Sequence, residues 1–140
     1  FTVMLLPFLL LQIPAGRVAD KFLGEKEILV AGLITMMVFT GLIYFLPPQS
    51  PAMWAAVLLM TRVGAALVEA MEEIYFFKHI NRRDVDLINL FRNVVPAGWL
   101  LGSLTGFIVL SFLPLPYLFL LLAMVLMVAL KPALTLRDDK

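Results

Sequence analysis

Four charged residues lie inside an otherwise apolar segment that runs from about residue 52 to residue 77: Arg62, Glu69, Glu72 and Glu73. On a helix, Glu69 and Glu73 each project within about 20° of the direction of Arg62, so the three form one stripe. Glu72 projects about 80° away from the direction of Arg62. Charges deep in a membrane span are costly and usually mark ion or substrate pathways. The stripe is therefore a candidate transport pathway; the alternative is that Arg62 and Glu69 bond to polar groups on adjacent helices and only fix packing.

Catalytic and metal chemistry have no comparable pattern in this chain. The sequence has one His, at position 79, and no Cys. It has no Ser/His/Asp set, no His and Glu at helical metal-ligand spacing, and no phosphate-binding loop ending in Lys-Ser or Lys-Thr. We therefore expect no enzymatic activity, no cofactor and no metal site. The net charge of +1 gives no reason to expect a nucleic-acid partner.

A second pattern consists of three glycines spaced four residues apart. Gly98, Gly102 and Gly106 follow Pro96 in an apolar segment. Small residues at this spacing form a flat groove that allows close approach of another helix in a membrane. The pattern predicts a helix-packing surface, which in a transporter is also a place where helices slide or bend.

The elements that carry these residues are long apolar segments. Apolar residues make up 62% of the chain and charged residues 15%, against about 45–50% and about 25% in a soluble domain. A helix needs about 20 residues to cross the hydrocarbon layer. The sequence therefore predicts an all-α bundle of five transmembrane spans. Their expected bounds are about 1–16, 28–46, 52–77, 94–113 and 115–130. The chain starts within an apolar run without an initiator Met, which favours a fragment of a longer protein.

Basic residues occur in every second connector between these spans. Ten of the eleven Lys and Arg residues fall near 17–26, 78–92 and 131–140, whereas the connectors near 47–51 and 113–116 are uncharged. Basic loops tend to stay in the cytoplasm. We therefore expect the three basic stretches on the cytoplasmic side, with 131–140 as a cytoplasmic tail. Residues 83–92 are expected to form an amphipathic interfacial turn or the run-in to the fourth span.

The connector between the first two predicted spans resembles the signature loop of the major facilitator superfamily. That loop follows the second helix of each six-helix half on the cytoplasmic side. The matching residues are Gly16, Arg17, Asp20, Lys21, Gly24 and Lys26. Two positions depart from the pattern: Leu23 is an extra residue, and Glu25 stands where a basic residue is usual. Arg62 and the small residues after it also resemble the fourth helix of such a half.

The resemblance implies helices two to six or eight to twelve of a two-half transporter, and the short charged tail favours eight to twelve. It implies secondary transport of a small solute by alternating access. Glu69 would then be a proton or cation site, and Arg62 its electrostatic partner or an anion contact. The implied partners are the lipid bilayer, a small-molecule substrate and the missing remainder of the same chain, in a plasma or inner membrane.

The resemblance also suggests a conformational latch on the cytoplasmic side. Glu73 would pair with Arg83 or Arg92 beside Asp20; the alternative is a solvated helix end. Another class of function stays open, because a non-transporting membrane scaffold or assembly protein would use the same spans and the same glycine groove.

Overall fold

The computed structural model describes residues 24–47, 50–80 and 84–136. These residues form four α-helices joined by short connectors, and the described part of the chain contains no strand. The helices are α1 (Glu25–Leu42), which continues into a 3₁₀ turn (Ile43–Phe45), α2 (Pro51–His79), α3 (Val85–Phe112) and α4 (Leu115–Thr135). The predicted all-α class is confirmed for this part of the chain.

All four helices are long and apolar enough to cross a membrane. The structure thus describes four membrane-spanning helices, and the expected count of five is not reached. The remaining predicted span, residues 1–16, lies outside the described residues.

The helices extend beyond several of the spans expected from hydropathy. The third helix begins at Val85, so the 83–92 stretch is the run-in to a span, and α4 continues to Thr135. Charged residues end an apolar stretch but do not end a helix, because backbone hydrogen bonds continue into the interfacial region. Helix α3 also contains Pro96, which transmembrane helices tolerate because neighbouring groups satisfy the freed backbone carbonyl.

Proline sets the helix boundaries at the uncharged connectors. Pro51 occupies the first turn of α2, where its missing N–H costs no hydrogen bond and its fixed φ favours the helix. The indole nitrogen of Trp54 donates a hydrogen bond to the carbonyl oxygen of Pro47 at 3.1 Å. Pro114 precedes α4 in an extended conformation. These residues reverse the chain within a few positions and make consecutive helices antiparallel.

Helix α1 lies between α2 and α4 and forms most of the contacts between helices. We call the end of the bundle that carries Glu25, Lys26, Lys78 and Lys131 the basic end. The main buried cluster lies at this end. The cluster members are Ile28, Leu29, Leu33, Ala70, Met71 and Ala133. At the opposite end, which carries no charge, the rings of Tyr44 and Tyr117 meet edge to face at 5.6 Å.

Helix α3 lies apart from this three-helix core. None of its residues is buried, and its interhelical contacts are few and made mainly with α4. Large side chains stand free on it, with Trp99 76% exposed and Phe107 73% exposed. Such extensive apolar exposure marks a surface that meets lipid or other protein, which agrees with a membrane protein.

Candidate transport pathway and basic-end contacts

The charged stripe of α2 faces away from the helix that packs against α2. Gly64 and Met71 are buried on the α1 side. Arg62 precedes Gly64 by two residues and Glu73 follows Met71 by two, which is about 200° of rotation in each case. Arg62, Glu69 and Glu73 are all exposed. The packing of α1 on α2 therefore fixes the stripe on the uncovered side of α2.

Arg62 and Glu69 lie on either side of the middle of α2. The helix runs from residue 51 to residue 79, so its midpoint is near Ala65, within about 6 Å of each charge along the axis. Between described residues, neither side chain has an ion pair. Their axial separation of about 10 Å prevents a direct pair on one straight helix. A solute or ion entering this side of α2 would meet a cation and a carboxylate at separate positions.

The hydroxyl groups of these helices bond to their own backbone. Thr61 donates to the carbonyl oxygen of Leu58 at 2.7 Å, and Thr105 donates to that of Leu101 at 2.7 Å. A hydroxyl in an apolar medium is costly unless it is hydrogen-bonded. These local bonds satisfy the hydroxyls without a polar neighbour on another helix. The charged side chains of the stripe are not satisfied in this way.

A cavity of about 390 Å³ opens at the basic end of the bundle. Residues of α1, α2 and α3 line it, together with Leu136, which follows α4. Its lining residues with polar groups are Glu72, Tyr75 and His79. The ring of Phe76 stacks on that of Phe91 with centroids 3.9 Å apart. This aromatic contact attaches the start of α3 to the end of α2, on a side of α2 close to the stripe.

An ion pair joins the basic ends of α1 and α2. The Nζ of Lys78 donates to Oε1 of Glu25 at 2.8 Å. The Glu25 side chain is 8% exposed and the Lys78 side chain 45% exposed. In the sequence, Glu25 is evident only as a departure from the signature loop, and no pattern pairs it with Lys78. The unusual acidic residue was the available signal, but its partner is 53 residues away along the chain.

Most of the signature loop, including Gly16, Arg17, Asp20 and Lys21, lies outside the described residues. Gly24 immediately precedes α1 in an extended conformation, and Lys26 is half-buried in the first turn of that helix.

Only part of the expected latch lies among the described residues. Arg83 also lies outside the described residues. Glu73 on α2 and Arg92 on α3 are both exposed, and these two described residues form no ion pair with each other. The latch between Glu73 and a following arginine stays a prediction.

The glycines of α3 have different surroundings from those of α1 and α2. A Cβ at Gly98, Gly102 or Gly106 would meet nothing within 4 Å, so their groove faces open space in the described part of the chain. A Cβ at Gly64 would instead lie 2.8 Å from the carbonyl oxygen of Gly32. The close helix crossing is thus formed by Gly32 and Gly64. Gly64 is one of the small residues after Arg62 that resemble the fourth helix of a transporter half, whereas Gly32 belongs to no motif.

Metal coordination finds no support among these side chains. Across the residues that the structure describes, no three His, Cys, Asp or Glu side chains are grouped closely enough to hold a metal ion.

Four long apolar helices in alternating directions, with a charged stripe inside one of them, define a multi-pass α-helical membrane protein. The family model of the Major Facilitator Superfamily matches residues 1–140. The chain belongs to this superfamily, whose members are typically membrane transporters, and the predicted family is confirmed. Comparisons with curated proteins and with solved structures gave no match.

Proposed function

We propose that this chain forms part of a secondary transporter that moves a small solute by alternating access, coupled to protons. Glu69 is the proton or cation site, and Arg62 is its electrostatic partner or an anion contact. The observation that carries the proposal is the position of both charges near the middle of α2, on the side that α1 leaves uncovered. Charges at such depth are retained where they serve an ion or solute pathway.

Glu69 supplies a carboxylate near the middle of α2, on the same side of the helix as the guanidinium of Arg62. A carboxylate at this depth is a ligand for a cation or a proton, and Arg62 supplies the positive charge that an anionic solute requires. This arrangement supports coupling between the movement of the solute and the movement of an ion.

The signature loop supports the same proposal at the basic end. We propose that Asp20 in this loop, with Glu73 and either Arg83 or Arg92, forms a cytoplasmic latch that stabilises one state of the cycle. The basic end then faces the cytoplasm, because Lys and Arg are retained on that side. The plasma or inner membrane is the proposed location, and the remainder of the same chain completes the two-half transporter.

Alternating access can be tested without knowing the substrate. In the full-length protein in sealed proteoliposomes, Ala65→Cys is exposed to a membrane-impermeant thiol reagent added outside or trapped inside. Ala65 lies at the middle of α2, within about 60° of the direction of Arg62, and this change leaves Arg62 and Glu69 in place. The proposal predicts labelling from both sides, because the pathway opens to each in turn. Met71→Cys is the matched control: Met71 lies six residues away on the same helix but is completely buried, so it is expected to react from neither side.

Labelling of Ala65→Cys from one side only, or from neither, contradicts alternating access beside this stripe. A membrane scaffold with static helices would give that result. Labelling of Met71→Cys to the same extent would show that the reagent reaches unfolded protein.

A further inference from the structure

We propose that Glu25 and Lys78 are positioning residues that clasp the basic ends of α1 and α2, so that both helices move as one body during transport. The part about the transport cycle rests on the proposed function. The clasp itself rests on the 2.8 Å contact between Lys78 Nζ and Glu25 Oε1.

The burial of Glu25 makes this contact more than a surface ion pair. Exposed pairs contribute little, because water screens the charges and the side chains lose freedom. The Glu25 side chain is only 8% exposed. A buried carboxylate without its cation is strongly unfavourable, whereas the pair together is tolerated. Loss of Lys78 would therefore drive Glu25 towards water and loosen the helix ends beyond the buried cluster.

The position of the clasp complements the glycine crossing. Gly32 and Gly64 bring the backbones of α1 and α2 together. From that crossing, Glu25 is about 10 Å along α1 and Lys78 about 21 Å along α2. Side chains lean towards the N-terminus of their own helix, so Lys78 reaches back towards the crossing while Glu25 reaches outward. Their charged groups meet despite the unequal distances. The pair lies beyond the buried cluster of the basic end, so it extends the contact between α1 and α2 to the outermost part of their interface.

The clasp also explains an unusual residue in the signature loop. Position 25 holds Glu where the resembled loop has a basic residue. A Lys or Arg at this position would place a second cation beside Lys78, and like charges at this distance repel. The acidic residue at 25 and the basic residue at 78 therefore form a matched set, and their charges should be exchangeable.

Exchange of the charges gives the decisive test. The full-length protein in nanodiscs carries spin labels at Ala31→Cys on α1 and Phe77→Cys on α2, both at exposed positions, in a background without other cysteines. The distance distribution is measured for Glu25→Lys, Lys78→Glu and the double exchange. Glu27→Lys, an identical charge change at an exposed position two residues away, is the control.

We expect each single reversal to lose the narrow distance peak, and the double exchange and the control to retain it. Single reversals that leave the peak unchanged, or a double exchange as broad as the singles, would overturn the clasp. If the single reversals fail to fold, recovery of folded protein by the double exchange supports the clasp, and failure of the double exchange as well overturns it.

The role in transport has a separate readout. Two-sided labelling of Ala65→Cys is repeated in each single-reversal background, where slower labelling from one side is expected, with the rate restored by the double exchange. An unchanged rate would leave the clasp as a purely structural contact and refute its role in transport. Failure of two-sided labelling without any reversal would refute the proposed function instead, and the distance result would be unaffected.

Discussion

The crossing of α1 and α2 predicts that Gly64→Ala destabilises the protein although it improves helix propensity. The added Cβ would lie 2.8 Å from the carbonyl oxygen of Gly32 and 2.8 Å from both the backbone nitrogen and Cγ of Met36. Two of these three atoms belong to the backbone, so no rotamer change removes the contact. The helices must separate by roughly 0.6 Å or more, which forfeits a quarter to a half of the dispersion energy of the atoms that move apart.

The size of the effect follows from two opposing terms. Replacing Gly by Ala inside a helix gains about 1 kcal/mol, whereas forcing a methyl group into a well-packed site costs about 1–3 kcal/mol. Backbone contacts place Gly64→Ala in the upper part of that range, which leaves a net loss of about 1–2 kcal/mol. Gly41→Ala on α1 is the matched control, because its added Cβ would meet only the Cβ of Ala123 at 3.7 Å, an ordinary contact between described helices. The difference between the two variants isolates the steric cost.

Thermal unfolding of the purified full-length variants in one detergent measures this difference. The expected order of midpoints is Gly64→Ala lowest, wild type next and Gly41→Ala equal to or above wild type. Gly32→Ala should lie between Gly64→Ala and wild type, because its nearest contacts are at 3.0 Å and include the movable side chain of Val68. Equal midpoints for Gly64→Ala and Gly41→Ala would refute the close crossing.

Three further predictions concern coupling, cycling and packing. Glu69→Gln should abolish proton-coupled uptake by the full-length protein, and unchanged coupling would remove Glu69 from that role. Asp20→Asn should slow the conformational cycle without changing what is bound; a change in substrate affinity with an unaltered cycle would contradict the latch. A double-mutant cycle of Phe76→Leu and Phe91→Leu should give a coupling of about 0.5–1.5 kcal/mol in unfolding stability, and a value near zero would show that the stacked rings do not attach α3 to α2.

Helix type and approximate location could be predicted from the sequence because they depend on local composition. Apolar runs of membrane-spanning length and the prolines around residues 47–51 determine where helices form and where the chain reverses. The first and last residues of the helices could be predicted less well from the sequence. The start of α3 at Val85 lies in a stretch with alternating polar and apolar residues, where hydropathy alone does not separate an interfacial turn from the first turns of a span.

Contacts between helices could not be predicted in the same way. Gly32 and Gly64 form the close crossing because the surrounding side chains orient α1 and α2, whereas the more regular Gly98 motif faces open space. The Lys78–Glu25 pair likewise depends on how two helices cross. The stripe of Arg62 and Glu69 could be predicted from the sequence because helical periodicity alone determines it. That the stripe faces away from α1 could be seen only in the packed structure.

Every proposed role depends on which side of the membrane each end of the bundle faces, so sidedness is the most direct test. In intact cells or sealed vesicles of known orientation, a membrane-impermeant thiol reagent is applied to Pro47→Cys and His79→Cys in the full-length protein. Both positions are exposed and lie at opposite ends of α2. We expect Pro47→Cys to react from outside and His79→Cys to react only from the cytoplasmic side. Reaction of both cysteines from the same compartment would contradict the transmembrane arrangement and the functions derived from it.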